Sequence, residues 1–247
     1  MKIALFVTCL GDVFTPRAAI AAVKLLERLG HEVTFPEAQT CCGQPMFNNG
    51  FEDEARTLAR GMLDVFESAE VVVTPSGSCA AMLREHYVHL FEHGSVDAQR
   101  AKLLAARTFE LVEFLVLQKL DLKALGATWS GGVTYHYSCH LRGIGVTDEA
   151  VRLLKQIDGV THTPLERAEQ CCGFGGTFAV SYPAISGQMA MDKVGCIRAT
   201  GCGTVVSNDT GCTMNLEGAC RRAGVAVQFL STAEVIAESL GLLPVSP

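Results

Sequence analysis

The residues best equipped for chemistry are cysteines, and their pattern occurs twice. Cys41-Cys42-Gly43 and Cys171-Cys172-Gly173 each have a cysteine 32 positions upstream, Cys9 and Cys139 respectively. Each also has one downstream, Cys79 after 36 intervening residues and Cys212 after 39. With 11 cysteines in 247 residues, two such upstream matches arise by chance with a probability of about 0.002. The chain therefore reads as a duplicated unit.

Thiolate is a soft ligand that selects iron–sulfur clusters, zinc or copper(I). Cys9, Cys41, Cys42 and Cys79 form one set of four, and Cys139, Cys171, Cys172 and Cys212 a second. Either set suffices for one cluster or one tetrahedral zinc. Adjacent cysteines are awkward for a compact zinc site, whose pairs usually come as Cys-x2–4-Cys. A cluster can take neighbouring residues on different iron atoms, so the spacing favours iron–sulfur. Gly43, Gly173 and the Gly175-Gly176 pair let backbone approach a bulky inorganic core and aim N–H groups at sulfide. Zinc, as a structural site or as a metal acquired during purification in air, and a thiol–disulfide cycle of the paired cysteines are the other readings. A disulfide between adjacent cysteines is strained and easily reduced.

Around these positions strands alternate with helices. Lys2–Thr8, 31–35, Glu70–Pro75 and Thr108–Phe114 read as strands of the first half, with helices at 16–29, 51–68 and from 114 through Leu125. Val133–Tyr137, Val160–Pro164, Gly203–Ser207 and Val225–Leu230 read as strands of the second half, with helices near 150–154, 184–199 and 232–240. The expected fold is α/β: two pseudo-symmetric repeats, each with a mainly parallel sheet and flanking helices. Gly126–Gly132, which contains the only tryptophan, marks the expected boundary between repeats at 1–128 and 129–247. Ligands of such sheets bind beyond the carboxyl ends of the strands. The cysteines fall at or after those ends, which places the two sites close together.

Composition narrows the function. Half of the residues are hydrophobic (49%), 19% are charged and the net charge is −6, without a lysine or arginine run. A nucleic-acid partner is therefore not expected. No apolar run approaches the roughly 20 residues of a membrane span, and peripheral association with a membrane stays open. The start of the chain reads as a first strand and not a signal peptide, so the expected location is the cytoplasm, where thiols stay reduced. No G-x-G-x-x-G fingerprint for a dinucleotide follows a strand.

The double pattern, with PEAQTCCGQPMFNNG (36–50), PSGSCAAM (75–82), SCHLRG (138–143) and CCGFGGTF (171–178), resembles the cysteine-rich CCG domain family. That family includes the cysteine-rich subunit of heterodisulfide reductase and the iron–sulfur subunits of glycolate oxidase and glycerol-3-phosphate dehydrogenase. The resemblance is strongest to its lactate-utilisation protein A group. It implies an iron–sulfur electron-transfer subunit of a multi-component oxidoreductase that converts L-lactate, or glycolate or another 2-hydroxy acid, to the 2-oxo acid. It also implies partner subunits, one with further iron–sulfur clusters. In the heterodisulfide reductase branch each half ends in Cys-x-x-Cys. Here Ser76 and Asp209 stand at the first cysteine of that pair, so four thiolates per half suit one [4Fe–4S] cluster per repeat. His140 and Arg142 are candidates for proton transfer and for pairing with a substrate carboxylate. His136, Lys193 and Asp209 are weaker candidates, and Cys196, Cys202 and Cys220, which have no first-half counterparts, read as buried thiols without a ligand role.

Overall fold

The computed structural model describes residues 1–246 and contains two four-stranded, all-parallel sheets. Strands β1 (Lys2–Leu5), β2 (Glu32–Thr34), β3 (Val71–Thr74) and β4 (Thr108–Glu110) are ordered β2-β1-β3-β4. Strands β5 (Thr128–His136), β6 (Asp158–His162), β7 (Thr204–Ser207) and β8 (Gln228–Leu230) are ordered β6-β5-β7-β8. The registers match as well: Ile3 pairs with Val71 where Val133 pairs with Thr204. The α/β class and the two similar repeats expected from sequence are thus present.

Local chemistry explains the elements. The central strands β3 (VVVT) and β7 (TVVS) are β-branched and nearly continuous in apolar character, because helices cover both sheet faces. Pro16 opens the helix Pro16–Arg28 at its first turn, and Gly30, with φ +83°, lies just past its end. Its Ala18, Ala21, Ala22, Leu25 and Leu26 form the buried face.

That face lies against the other repeat. Helices Pro16–Arg28 and Thr232–Ser239 pack on each other, as do Leu111–Leu117 and Glu149–Leu154. One apolar core joins Leu25, Leu26 and Leu115 of the first half to Leu153, Leu154 and Ile236 of the second, while two further cores each belong to a single half. The polar seam adds a 2.8 Å ion pair of Arg17 with the buried Glu238 carboxylate and a 3.1 Å bond from Asn208 Nδ2 to Glu110 Oε1.

Three expectations need adjustment. The strand expected at Thr108–Phe114 stops at Glu110, and Leu111–Leu117 is helical. Glu110 accepts from Val112 N–H while Glu113 accepts from Glu110 N–H, a capping box that starts a helix inside an apolar run. That helix also ends at Leu117 and not near Leu125. The Gly126–Gly132 stretch is mostly strand β5, with a register shift between Thr128 and Gly131. Trp129 lies over Gly131, where a Cβ would meet its ring at 2.7 Å, and donates to Glu238 Oε2 at 3.0 Å. Finally, no helix among the described residues is long and apolar enough to cross a membrane.

Candidate metal centre

Four of the eight thiols sit in the first turns of helices that follow strands, and the two Cys-Cys pairs lie in the loops after β2 and β6. Cys9 and Cys139 are the first residues of helices that follow β1 and β5. Cys79 and Cys212 lie in the first turns of helices that follow β3 and β7. The caps differ in chemistry and agree in position: Thr8 Oγ1 accepts from Gly11 N–H at 3.1 Å, Ser76 Oγ from Cys79 N–H at 3.5 Å, and Asp209 Oδ1 from Gly211 N–H at 3.2 Å. Helix amino ends stabilise thiolate beside them. Gly43 and Gly173 adopt φ of +84° and +85°, which turns the chain sharply after each Cys-Cys pair.

The eight thiols form two matching rows around one cavity of about 370 Å³, together with Ser78, His140, Asp209 and Phe174. In the first row the Cys9, Cys41 and Cys42 thiols lie close enough to shift one another's ionisation, and Cys42 Sγ lies 3.3 Å from Cys79 Sγ. In the second, the Cys139, Cys171 and Cys172 thiols do the same, and Cys172 Sγ lies 3.0 Å from Cys212 Sγ. None of the eight is in a disulfide.

The electrostatics repeat too. Hydrogen bonds from Cys42 and Cys9 hold Cys41 as a thiolate far below the usual thiol range, and those from Cys139 and Cys172 do the same for Cys171. Bonding to these thiolates, followed by burial, pushes Cys9, Cys42, Cys139 and Cys172 up. For Cys212 the bond from Cys172 pulls down, but burial and the nearby Asp209 outweigh it. Backbone N–H groups point at sulfur: Gly43 at Cys41 (3.5 Å), Gly173 at Cys171 (3.4 Å) and Phe174 at Cys172 (3.5 Å). Asp209 ties the halves together at the cavity, its Oδ2 accepting from Ser78 N–H at 2.9 Å.

The remaining candidates separate clearly. His140 lines the cavity, with Nδ1 3.7 Å from Cys139 Sγ. Arg142 does not line it. Its guanidinium pairs with Glu169 at 3.1 Å and lies over the Tyr137 ring. Cys196, Cys202 and Cys220 are buried away from the cavity wall. Sequence reasoning undervalued two residues. His136, at the end of β5, is 1% exposed, and its ring lies with the Cys172 and Cys212 thiols, their ligand atoms all within 4.8 Å of one another. Burial and the nearby Lys193 push its pKa down to about 3. Lys193 is fully buried, donating to the carbonyls of Arg167 (2.8 Å) and Ala168 (3.1 Å), with burial lowering its pKa to about 8. It fastens the loop that leads into Cys171.

These residues fit an iron–sulfur group. The donors are soft, half of them are buried, N–H groups face the sulfurs, and the two unpartnered ring nitrogens of His136 make a dry protein-only site costly. Comparison with known proteins agrees with the duplication. The cysteine-rich CCG domain matches twice, over residues 3–84 and 133–217, and the chain belongs to that family. It is 46% identical over 237 residues to lactate utilization protein A of Bacillus licheniformis, covering 96% of this chain and 99% of that one. The same-named protein of Geobacillus kaustophilus is 48% identical over 238 residues (96% and 98%), and lactate utilization protein A 2 of Bacillus cereus 42% over 243 (97% and 99%).

Proposed function

We propose that this chain is the iron–sulfur electron-transfer subunit of a multi-component oxidoreductase that converts L-lactate to pyruvate in the cytoplasm. The observation that carries the reading is the pair of four-thiol rows facing one cavity. The names of its relatives supply the substrate.

Cys9, Cys41, Cys42 and Cys79 would hold one [4Fe–4S] group, and Cys139, Cys171, Cys172 and Cys212 the other. When bound, such clusters accept and release electrons one at a time. The protein's part is to keep that exchange dry and tuned. Cys42, Cys79, Cys172 and Cys212 are buried, so water is kept from the inner side of each group. The N–H groups of Gly43, Gly173 and Phe174 donate to ligand sulfurs and raise the potential relative to bare thiolates. Oxidation of lactate releases two electrons and two protons. In this reading the step that breaks the substrate C–H bond is assigned to a partner subunit, and this chain takes the electrons onward.

The test is anaerobic mixing of the iron-loaded chain with its partner proteins and L-lactate. Bleaching of the visible band with formation of pyruvate is expected. A chain that dithionite bleaches and lactate does not, with all partners present, contradicts the assignment. One observation favours a second reading, a zinc-binding structural or assembly subunit: His136, Cys172 and Cys212 together are a mixed nitrogen–sulfur donor set that zinc also accepts. A colourless protein with stoichiometric zinc after anaerobic iron supplementation would support it.

A further inference from the structure

We infer that His136 is a nitrogen ligand of the second-half metal group, so that the two groups of this duplicated chain are chemically different. The inference rests on the metal-binding reading above and concerns one residue within it.

His136 ends β5 and is almost completely removed from solvent. Neither Nδ1 nor Nε2 has a hydrogen-bond partner among the described residues. A neutral imidazole carries one donor and one acceptor, and a histidine with a purely structural role in a core spends at least one of them on a carbonyl, a carboxylate or a hydroxyl. The sulfurs of Cys172 and Cys212 lie within 4.8 Å of a ring nitrogen, while the nearby Lys193 and Arg142 cations make no hydrogen bond to it. Both thiols belong to the proposed ligand row. A buried imidazole without partners, grouped with two soft ligands, is explained by a cation that all three can share. Iron and zinc both accept mixed sulfur and nitrogen donors.

The first half shows what the position looks like without this role. Phe6 stands three residues before Cys9, as His136 stands three before Cys139. Phe6 follows β1 in the same register as His136 in β5: its N–H bonds to Val73, whereas His136 pairs with Ser207. It is fully buried and meets the Phe66 ring edge-on at 5.8 Å. An aromatic of similar size fills the site at no polar cost, so packing alone does not call for histidine at 136. The first group would therefore be held by four thiolates, and in the second His136 would share the iron of one neighbouring thiolate, Cys172 or Cys212, as an added ligand.

The test uses the full chain, reconstituted anaerobically with iron and sulfide and reduced with dithionite. Pulsed electron paramagnetic resonance of protein grown with 14N- or 15N-histidine reads histidine nitrogen bound to the paramagnetic centre without altering the fold. A strongly coupled histidine nitrogen is expected in the wild type, retained in His140→Gln and lost in His136→Phe, which copies the first half. Iron-loaded protein without such a coupling, or with one that survives His136→Phe, overturns the inference while leaving the iron–sulfur reading intact. A chain that takes up no iron contradicts that reading instead, and cobalt(II) alone then decides the ligand. His136→Phe is expected to weaken cobalt(II) binding at least tenfold, and unchanged affinity overturns the inference.

Discussion

The two halves share a backbone and differ in what stands behind the thiols. Their strand order, register and cysteine positions correspond. Gly43 packs on Ala55 and Leu58 of one helix, and Gly173 on Ser186 and Met189 of another, a constant offset of 131 that sets Met62 opposite Lys193. Where the first half has Phe6 and Met62, apolar and fully buried, the second has His136 and Lys193, equally buried and ionisable. Duplication kept the thiol scaffold, and the residues around it diverged. In the proposed assignment the second group has a cation nearby and the first does not, which would give the two unequal affinity for electrons.

Exchanging corresponding residues tests that comparison. Met62→Lys has the largest expected effect. It buries a charge in an apolar core shared with Phe6, Leu63 and Phe66, and should cost about 3–5 kcal/mol in urea unfolding. If the cost is below about 1 kcal/mol, the first half is not a sealed apolar shell.

Glu110→Ser comes next, because Glu110 caps its helix where Ser231 caps the equivalent one. Burial raises Glu110 from about 4.5 in the unfolded chain to about 8, against the bonds from Val112 N–H and Asn208, with Glu113 adding repulsion. The folded state then holds a proton that the unfolded chain has lost, so the Glu110 contribution to stability should fall as pH rises from about 4.5 to about 8, by up to ~4 kcal/mol. The serine variant should lack that fall and keep the rise up to about pH 6.5 that His136, buried neutral, contributes. A wild-type profile parallel to that of the serine variant would show that Glu110 is not held protonated.

Lys193→Met strips two buried carbonyls, Arg167 O and Ala168 O, of their donor and should cost about 1–3 kcal/mol. It should also lower the reduction potential of the second group while sparing the first. Equal shifts in both would mean that the cation does not distinguish them. The smallest effect is expected for Asp209→Ser, which copies Ser76. It keeps a helix cap and loses the bond from Ser78 N–H across the halves, for about 1 kcal/mol by thermal unfolding.

Much of this was legible in the sequence. The cysteine spacing carries the duplication, and β-branched runs with Gly and Pro punctuation carry the alternating strands and helices. His136 was harder to read. VTYHY lies in a strand whose last residues are buried on both faces, so alternation does not tell which way a side chain points. Lys193 belongs to the 18-residue helix Pro183–Thr200, where polar and apolar residues do not sort into faces, and lysine is rarely buried. The early stop of β4 depended on a glutamate acting as helix cap, a position where serine or threonine is the usual signal. Closeness of the two sites was expected from the cysteines at strand ends, but that both rows line one cavity depends on how the two sheets pack through their shared helices.

The central claim is that each half holds its own group, and metal content per half tests it most directly. Anaerobically purified chain, supplied with iron and sulfide, should carry about eight iron and eight sulfide as two four-iron groups. Cys42→Ser and Cys172→Ser should each retain about half of that, in spectroscopically distinct populations. Full iron retention in both variants, or stoichiometric zinc without colour in the wild type, would contradict it.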